Sequence, residues 1–280
     1  MKKVIFVKLL CMLFFSSVNA QIDFSTYTVI TGQTTNAIKV NEALLGSSFK
    51  KELNSKYSFA ADVKYGYKNL AYSDGAFSGY FLNEFEKLES ILDFTYSEHK
   101  KRRYHFNLQP FIANENQLKL SSLYVLYAFK TDFIINQKNA LTIGAAKSSI
   151  FGKPSLIPII SYEYKYSDRL NLSIGFPETK FKYANNSRNN FVLKNDFNGS
   201  FYALDTTSKL LFDTSSKASF SQMTTSFEYE RNLDANWFLN FKAGYDFNRK
   251  YLLLDNNYHT TFNFDMEDGF NLGLKIKYKY

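Results

Sequence analysis

The three histidines are the first residues to weigh for chemistry, and their spacing gives them little to do. His99, His105 and His259 form no H-x-x-x-H and no H-x-x-E pair, so no zinc motif is present. Asp196, Asn198, Asp205 and Asp213 could offer oxygen ligands to calcium, but their spacing is not that of an EF-hand loop, and solvated loop acids are the simpler reading. No metal site and no cofactor are expected. A hydrolase needs a nucleophile, a base and an orienting group within hydrogen-bond reach. Serines are too plentiful to single one out. Neither His99, beside a basic turn, nor His105, in a strand, belongs to a recognisable serine–histidine signature. A lipid hydrolase therefore ranks third among the readings, and the chain is not expected to be an enzyme. With no G-x-G-x-x-G, no P-loop and no basic block longer than Lys100–Arg103, no nucleic-acid partner is expected. Asp205-Thr206-Thr207 resembles a three-residue glycosylation sequon, a match of a length that chance supplies.

A second set of polar residues is more informative. Asp62, Lys64, Glu163, Lys165, Lys242, Asp246 and Lys275 are charges of both signs, each alternating with apolar neighbours. What they can do depends on the elements that carry them. The C-terminus is the clearest of these. Phe270, Leu272, Leu274, Ile276, Tyr278 and Tyr280 alternate with Asn271, Gly273, Lys275, Lys277 and Lys279, a period of two over the length of a tilted transmembrane strand. The same period recurs in 57–67, 170–176 and 237–247. It also runs through 104–112, where Pro110 breaks the pattern and suggests a bulge. No apolar run past the first 20 residues approaches 18, so no transmembrane helix is expected. The composition, 29 Phe and 21 Tyr in a chain of mean hydropathy −0.30, suits a wall with one face in lipid and the other in water.

Alternation and turn signals together predict an all-β, transmembrane antiparallel barrel of about 12 strands. The predicted strands are 23–31, 39–53, 57–67, 85–97, 103–112, 118–134, 140–147, 156–166, 170–183, 217–229, 237–247 and 270–280. Short polar turns at 54–56, 98–102, 136–139, 167–169 and 230–236 are assigned to the periplasm. Longer irregular stretches at 68–84, 148–155, 184–216 and 248–269 are assigned outside. The even count puts both termini in the periplasm. Tyr57, Tyr96, Tyr104, Tyr166, Tyr229, Trp237, Tyr278 and Tyr280 flank the short turns, as an interfacial aromatic girdle would.

Ahead of the barrel, Met1-Lys2-Lys3, an apolar run to Phe15 and small residues ending at Ala20 predict a cleaved signal peptide over 1–20 and one domain over 21–280. Lys8 argues against lipoprotein processing at Cys11. Cleavage would remove the only cysteine and three lysines, taking the net charge from +8 to +5.

The signal segment, the aromatic terminus, and the phrases Leu156-Ile157-Pro158-Ile159-Ile160-Ser161-Tyr162-Glu163-Tyr164 and Gly175-Phe176-Pro177-Glu178-Thr179 resemble outer-membrane barrel families of Bacteroidetes-type bacteria. These are families classed as domains of unknown function. The resemblance implies outer-membrane location and fold, and carries no activity and no site residue. It also implies outer-membrane lipid and the barrel-insertion machinery as partners. Gly273, Ile276 and Tyr278 or Tyr280 match the C-terminal insertion signal.

Within such a barrel the seven charges fall in the water-facing phase, because charge on the lipid face costs about 2–4 kcal/mol at the midplane. Their mixed signs predict an ion-pair network that partly closes the lumen, with Lys275 able to reach Asp246 or to compete with Lys242. The leading functional expectation is a narrow passive channel for small polar solutes. The alternative is a structural or surface-contact protein acting through 184–216 and 248–269.

Overall fold

The computed structural model describes residues 22–34, 38–72, 82–98, 101–205, 214–264 and 266–280. The expected signal segment 1–20 lies outside them. Fifteen strands follow one another. They are β1 (Ile22–Thr34), β2 (Ile38–Glu52), β3 (Tyr57–Tyr72), β4 (Glu84–Glu98), β5 (Arg102–Glu115), β6 (Leu123–Ile134), β7 (Asn139–Ser148), β8 (Ser155–Lys165), β9 (Leu170–Phe176), β10 (Glu178–Ala184), β11 (Asn189–Ala203), β12 (Lys217–Asn232), β13 (Trp237–Leu254), β14 (Thr260–Phe264) and β15 (Gly269–Lys279).

Each strand from β1 to β13 pairs antiparallel with the next, and β15 closes the ring between β13 and β1. Fourteen strands make the closed barrel, and β14 is a short hairpin arm on the end of β13. The ring resolves the strand count at 14 where alternation suggested about 12. Two corrections account for the difference. The stretch 170–183 is two strands, folded back at Pro177. Residues 189–203, read as loop, are β11.

Outward positions carry large exposed apolar side chains right around the ring, among them Ile143, Ile160, Ile174, Leu193, Phe227, Phe241 and Leu272, the last 62% exposed. A belt of that extent on a closed sheet has no aqueous partner, and its solvent is the bilayer. The chain is a transmembrane outer-membrane β-barrel.

Four short turns on one rim share one design. The Asn54 side chain accepts N–H bonds from Lys56 (2.9 Å) and Tyr57 (3.0 Å), and Asn136 accepts from Lys138 (2.8 Å) and Asn139 (2.9 Å). Asn186 does the same with Arg188 and Asn189, both at 2.9 Å. Asp234 does it with Asn236 (2.8 Å) and Trp237 (2.7 Å), and these two donors hold its carboxyl below the usual range. The turn at Asn186 sits inside the stretch expected to be one outer loop, 184–216. That expectation is corrected: the stretch begins at the short-turn rim and runs along β11 to the other rim. The aromatics flanking these turns form contacts between neighbours, Tyr57–Tyr96 at 5.1 Å, Tyr96–Tyr104 at 6.0 Å and Trp237–Tyr278 at 4.9 Å between ring centroids.

The other rim is folded inward. At Asn248, where φ is 49°, a bulge in the β12–β13 ladder reverses the phase of β13, so Tyr251 and Leu253 face the interior and are fully buried. Residues 248–254 and 260–264, expected as loop, are therefore sheet. Pro110 produces no bulge. The β4–β5 ladder passes over Ser90 and Ile91 and resumes in the same register, with Glu89 opposite Phe111 and Leu92 opposite Leu108.

Candidate functional site

The interior has two layers, and the first was not foreseen. Near the long-loop rim, Phe85, Phe111, Leu126, Phe201, Tyr202, Phe220, Tyr251 and Phe264 belong to one buried apolar cluster inside the barrel mouth. Phe220 stacks on Tyr251 at 4.5 Å and meets Phe85 at 5.3 Å; Tyr251 stacks on Phe264 at 4.2 Å. The end of β11 crosses the mouth to pair with β5, Ala203 opposite Asn114, six strands away around a ring of fourteen. That crossing explains why successive residues Phe201 and Tyr202 are both buried: Phe201 packs on Phe111 and Tyr124, Tyr202 on Phe85 and Phe220. Beyond it, the Asp205 N–H donates to the Glu115 carboxylate at 2.8 Å, and Lys119 pairs with Asp205. An apolar cap thus spans the lumen.

Beneath the cap lies a chamber of about 410 Å³. Val40, Tyr202 and Phe220 of the cap form its roof, and its wall is polar, with Lys64, Lys68, Lys87, Glu89, Lys194, Asp196, Lys242 and Asp246 among the lining residues. Lys68 pairs with Glu42 at 2.5 Å while its ammonium lies 4.4 Å from the Phe220 ring centre. Lys87 pairs with Glu89 at 2.5 Å and lies 4.9 Å from the Phe111 ring. Lys68 and Lys87 are therefore each engaged by a carboxylate on one side and by a ring face of the cap on the other.

Of the seven charges singled out in the sequence, Lys64, Lys242 and Asp246 line this chamber. Asp62 lies one inward position nearer the short-turn rim. It accepts from the Tyr27 hydroxyl at 2.8 Å and pairs with Lys64 at 3.4 Å, and Lys64 continues to Glu89 at 3.8 Å. Asp246 accepts from Thr224 and Asn271, each at 2.6 Å. Glu163 and Lys165 join neither group: Glu163 accepts from Asn171 at 2.7 Å and Lys165 pairs with Asp168 at 3.0 Å. The register corrects the expected reach of Lys275. It stands opposite Asn240, whereas Asp246 stands opposite Gly269, and the Lys275 ammonium sits 4.3 Å from the Tyr27 ring.

Tyr27 occupies the space that Gly46 leaves on the neighbouring strand. A Cβ on Gly46 would lie 2.2 Å from Tyr27 Cζ. Gly46→Ala should push the phenol off its glycine and away from Asp62, lowering stability by about 1–3 kcal/mol in urea unfolding from vesicles. Gly66→Ala, whose added carbon would meet nothing nearer than 3.9 Å, is the control and should change little.

Sequence reasoning also missed a cluster on the inward face near the short-turn rim. His105 Nδ1 lies 2.9 Å from Thr95 Oγ1, and Nε2 lies 2.9 Å from Asp132 Oδ2. Thr142 donates to the other Asp132 oxygen at 2.8 Å, and Asp93 lies 3.8 Å from His105 Nδ1. Thr95 and His105 are direct cross-strand partners, so their contact follows from the register of β4 on β5. The group resembles a nucleophile, base and orienter, but it faces the lumen and not the lipid that a membrane-rim hydrolase would attack. His259 is on the opposite rim, 3.2 Å from Asp255, and His99 lies outside the described residues.

Residues 114–279 match the model of a family described as "Domain of unknown function (DUF6268)". No curated protein matches the chain. Among solved structures, the COG4313 outer membrane channel from Pseudomonas putida F1 is similar at 10% identity and TM-score 0.49, over 95% of this chain and 97% of that one. A TodX deltaS2S3 mutant monoaromatic hydrocarbon channel is similar at 9% identity and TM-score 0.47, over 95% and 91%. The KdgM porin in complex with disordered oligogalacturonate is similar at 6% identity and TM-score 0.40, over 91% and 99%.

Proposed function

We propose a function for a chain that belongs to the DUF6268 family: it is a narrow passive channel for small polar solutes, closed at its outer end in the resting state by the apolar cap. The observation that carries this reading is the charged chamber enclosed by a closed ring of strands. A barrel serving only as a scaffold gains stability by filling its interior, whereas this one keeps about 410 Å³ open and lines it with charged side chains. The short-turn rim and both termini lie in the periplasm on this reading. It is supported by the length asymmetry of the connections and by the aromatic girdle at the short-turn rim. The insertion machinery would engage β15, through Gly273, Ile276, Tyr278 and Tyr280, before β15 closes the ring against β1 and β13.

Planar-bilayer recording of the purified barrel is the test. Small discrete conductance steps of low open probability are expected, since the cap must be displaced for each opening. A barrel that inserts and stays electrically silent at all voltages points instead to the second reading, a surface-contact protein. That reading draws on the order of the outer rim, where 204–205, 214–216 and β14 are tied into one cap.

A further inference from the structure

We propose that the chamber binds a small organic anion that also carries hydroxyl groups, a hydroxy acid, with Lys242 and Asn271 as its ligands. The channel reading enters only as the route by which the solute arrives.

The first observation is a charge left over. Seven basic and four acidic side chains line the chamber. Three of the acids are each held by a lysine: Glu42 by Lys68 at 2.5 Å, Glu89 by Lys87 at 2.5 Å and Asp196 by Lys194 at 3.1 Å. The fourth, Asp246, accepts from Thr224 and Asn271. Lys242 has no hydrogen-bond or ion-pair partner among the described residues. An ammonium in a confined wall with no carboxylate in direct contact favours a mobile anion beside it.

The second observation is independent of charge. Asn271 is 4% exposed, and its Nδ2 donates to Asp246, which fixes the orientation of the amide. Its Oδ1 is then a buried acceptor with no donor, on a residue that lines the same chamber. Buried acceptors of this kind are rare, and a donor brought by a ligand would satisfy it.

The register joins the two. Lys242 stands opposite Gly273, and Gly244 opposite Asn271, so Lys242 and Asn271 are diagonal neighbours on the inward face, about 7–8 Å apart. The two glycines between them carry no side chain, so no side chain stands between the two groups. The approach is close: a Cβ on Gly273 would lie 3.1 Å from Thr31 Cγ2 and 3.3 Å from Lys242 Cβ, and one on Gly244 would lie 2.9 Å from the Thr225 carbonyl oxygen and 3.0 Å from Asn271 Oδ1. A chamber wall with an ammonium and, one diagonal step away, an acceptor suits a carboxylate followed, a few carbons on, by a hydroxyl. A simple inorganic anion would answer Lys242 and leave Asn271 Oδ1 unserved.

The test is calorimetric titration of the full, detergent-folded barrel with sodium gluconate and with sodium butyrate. The two share a charge and differ in hydroxyls. Gluconate should bind at least about tenfold more tightly, the scale of one hydrogen bond to a buried group. Lys242→Gln should abolish that binding, and Gly273→Ala, whose added carbon would crowd Thr31 Cγ2 at 3.1 Å and Lys242 Cβ at 3.3 Å, should weaken it by about tenfold. Folding of each variant is checked by its gel mobility before and after boiling. Equal affinity for the two anions overturns the hydroxyl assignment, and unchanged gluconate affinity in Lys242→Gln overturns the site. Gluconate binding in a barrel that never conducts refutes the channel and keeps the site. Conductance in chloride with no gluconate binding refutes the site and keeps the channel.

Discussion

Phe220→Ala will open the barrel, raising unit conductance several-fold and lowering stability by about 3–5 kcal/mol. Phe220 is 7% exposed and sits where the cap meets the chamber. Its ring contacts Tyr251 at 4.5 Å, Phe85 at 5.3 Å and Tyr202 at 5.8 Å on the cap side, and Lys68 at 4.4 Å on the chamber side. Removing it takes away the roof and the ring face against which one chamber cation rests. Both consequences follow from the same missing atoms, so conductance and stability should change together. Phe85→Ala should act in the same direction. Because Phe85 and Phe220 touch, the double variant should cost less than the sum of the two. Phe220→Leu, which keeps most of the apolar volume, should fall between wild type and alanine and guards against a variant that does not fold. Phe227→Ala is the control: it lies on the same strand but outward, 51% exposed to lipid, and should leave conductance unchanged. A Phe220→Ala barrel that is destabilised yet conducts like wild type would show that the cap is not the barrier.

The wall of this barrel was far more legible in the sequence than its interior. β15 and the first half of β13 announce themselves because their outward faces are unbroken runs of apolar and aromatic residues, which is what lipid demands of them. β11 was lost because its outward face is interrupted: Phe191, Leu193 and Phe197 keep the two-residue phase, but Asn195 and Gly199 fall on the same side. Gly199 is small there for a local reason. A Cβ on it would meet the backbone of Ser149 and Ile150 at 2.3 and 2.4 Å, where the β7–β8 connection folds over β11. A signal for β11 did exist. Asn186-Ser187-Arg188 repeats the spacing of the turns at Asn54-Ser55-Lys56 and Asn136-Gln137-Lys138, and all three close with the same side-chain bonds. Reading it as a third such turn would have forced a strand on either side. The even count survived because β11 and the division at Pro177 each add one strand. The cap was illegible for a different reason. Its aromatics come from at least seven strands, spaced in the sequence like any other wall residue, and only the inward bend of β11 and the reversed phase of β13 bring them together. The Thr95–His105–Asp132 contacts depend likewise on a register that alternation alone does not reveal.

Asp246→Ala should be the most damaging single change to the polar interior, costing about 3–5 kcal/mol. The carboxylate is fully buried and takes short bonds from Thr224 on β12 and Asn271 on β15, so it ties β13 to both of its neighbours in the ring. Its loss strands two buried donors at the place where the barrel closes. Asp246→Asn keeps the shape and leaves a carbonyl oxygen where Oδ1 takes both bonds, but it removes the charge that strengthens them, and should cost about half as much. Asp62 makes a useful contrast. Its side chain is 28% exposed, and its bonds to Tyr27 and Lys64 belong to a separate chain of contacts that runs on through Glu89 to Lys87. Asp62→Asn should cost about 1 kcal/mol, because water can replace part of what is lost. The mixed signs of the sequence suggested one network across the lumen, whereas the contacts describe two knots, on β3–β4 and on β12–β13–β15, with no ion pair joining them among the described residues. Two knots predict additivity. Urea unfolding of Asp62→Asn, Asp246→Asn and the double variant in vesicles should give a double loss within about 0.5 kcal/mol of the sum. A double loss that departs from the sum by more than about 1 kcal/mol would show that the knots are coupled, and the single network read from the sequence would stand after all.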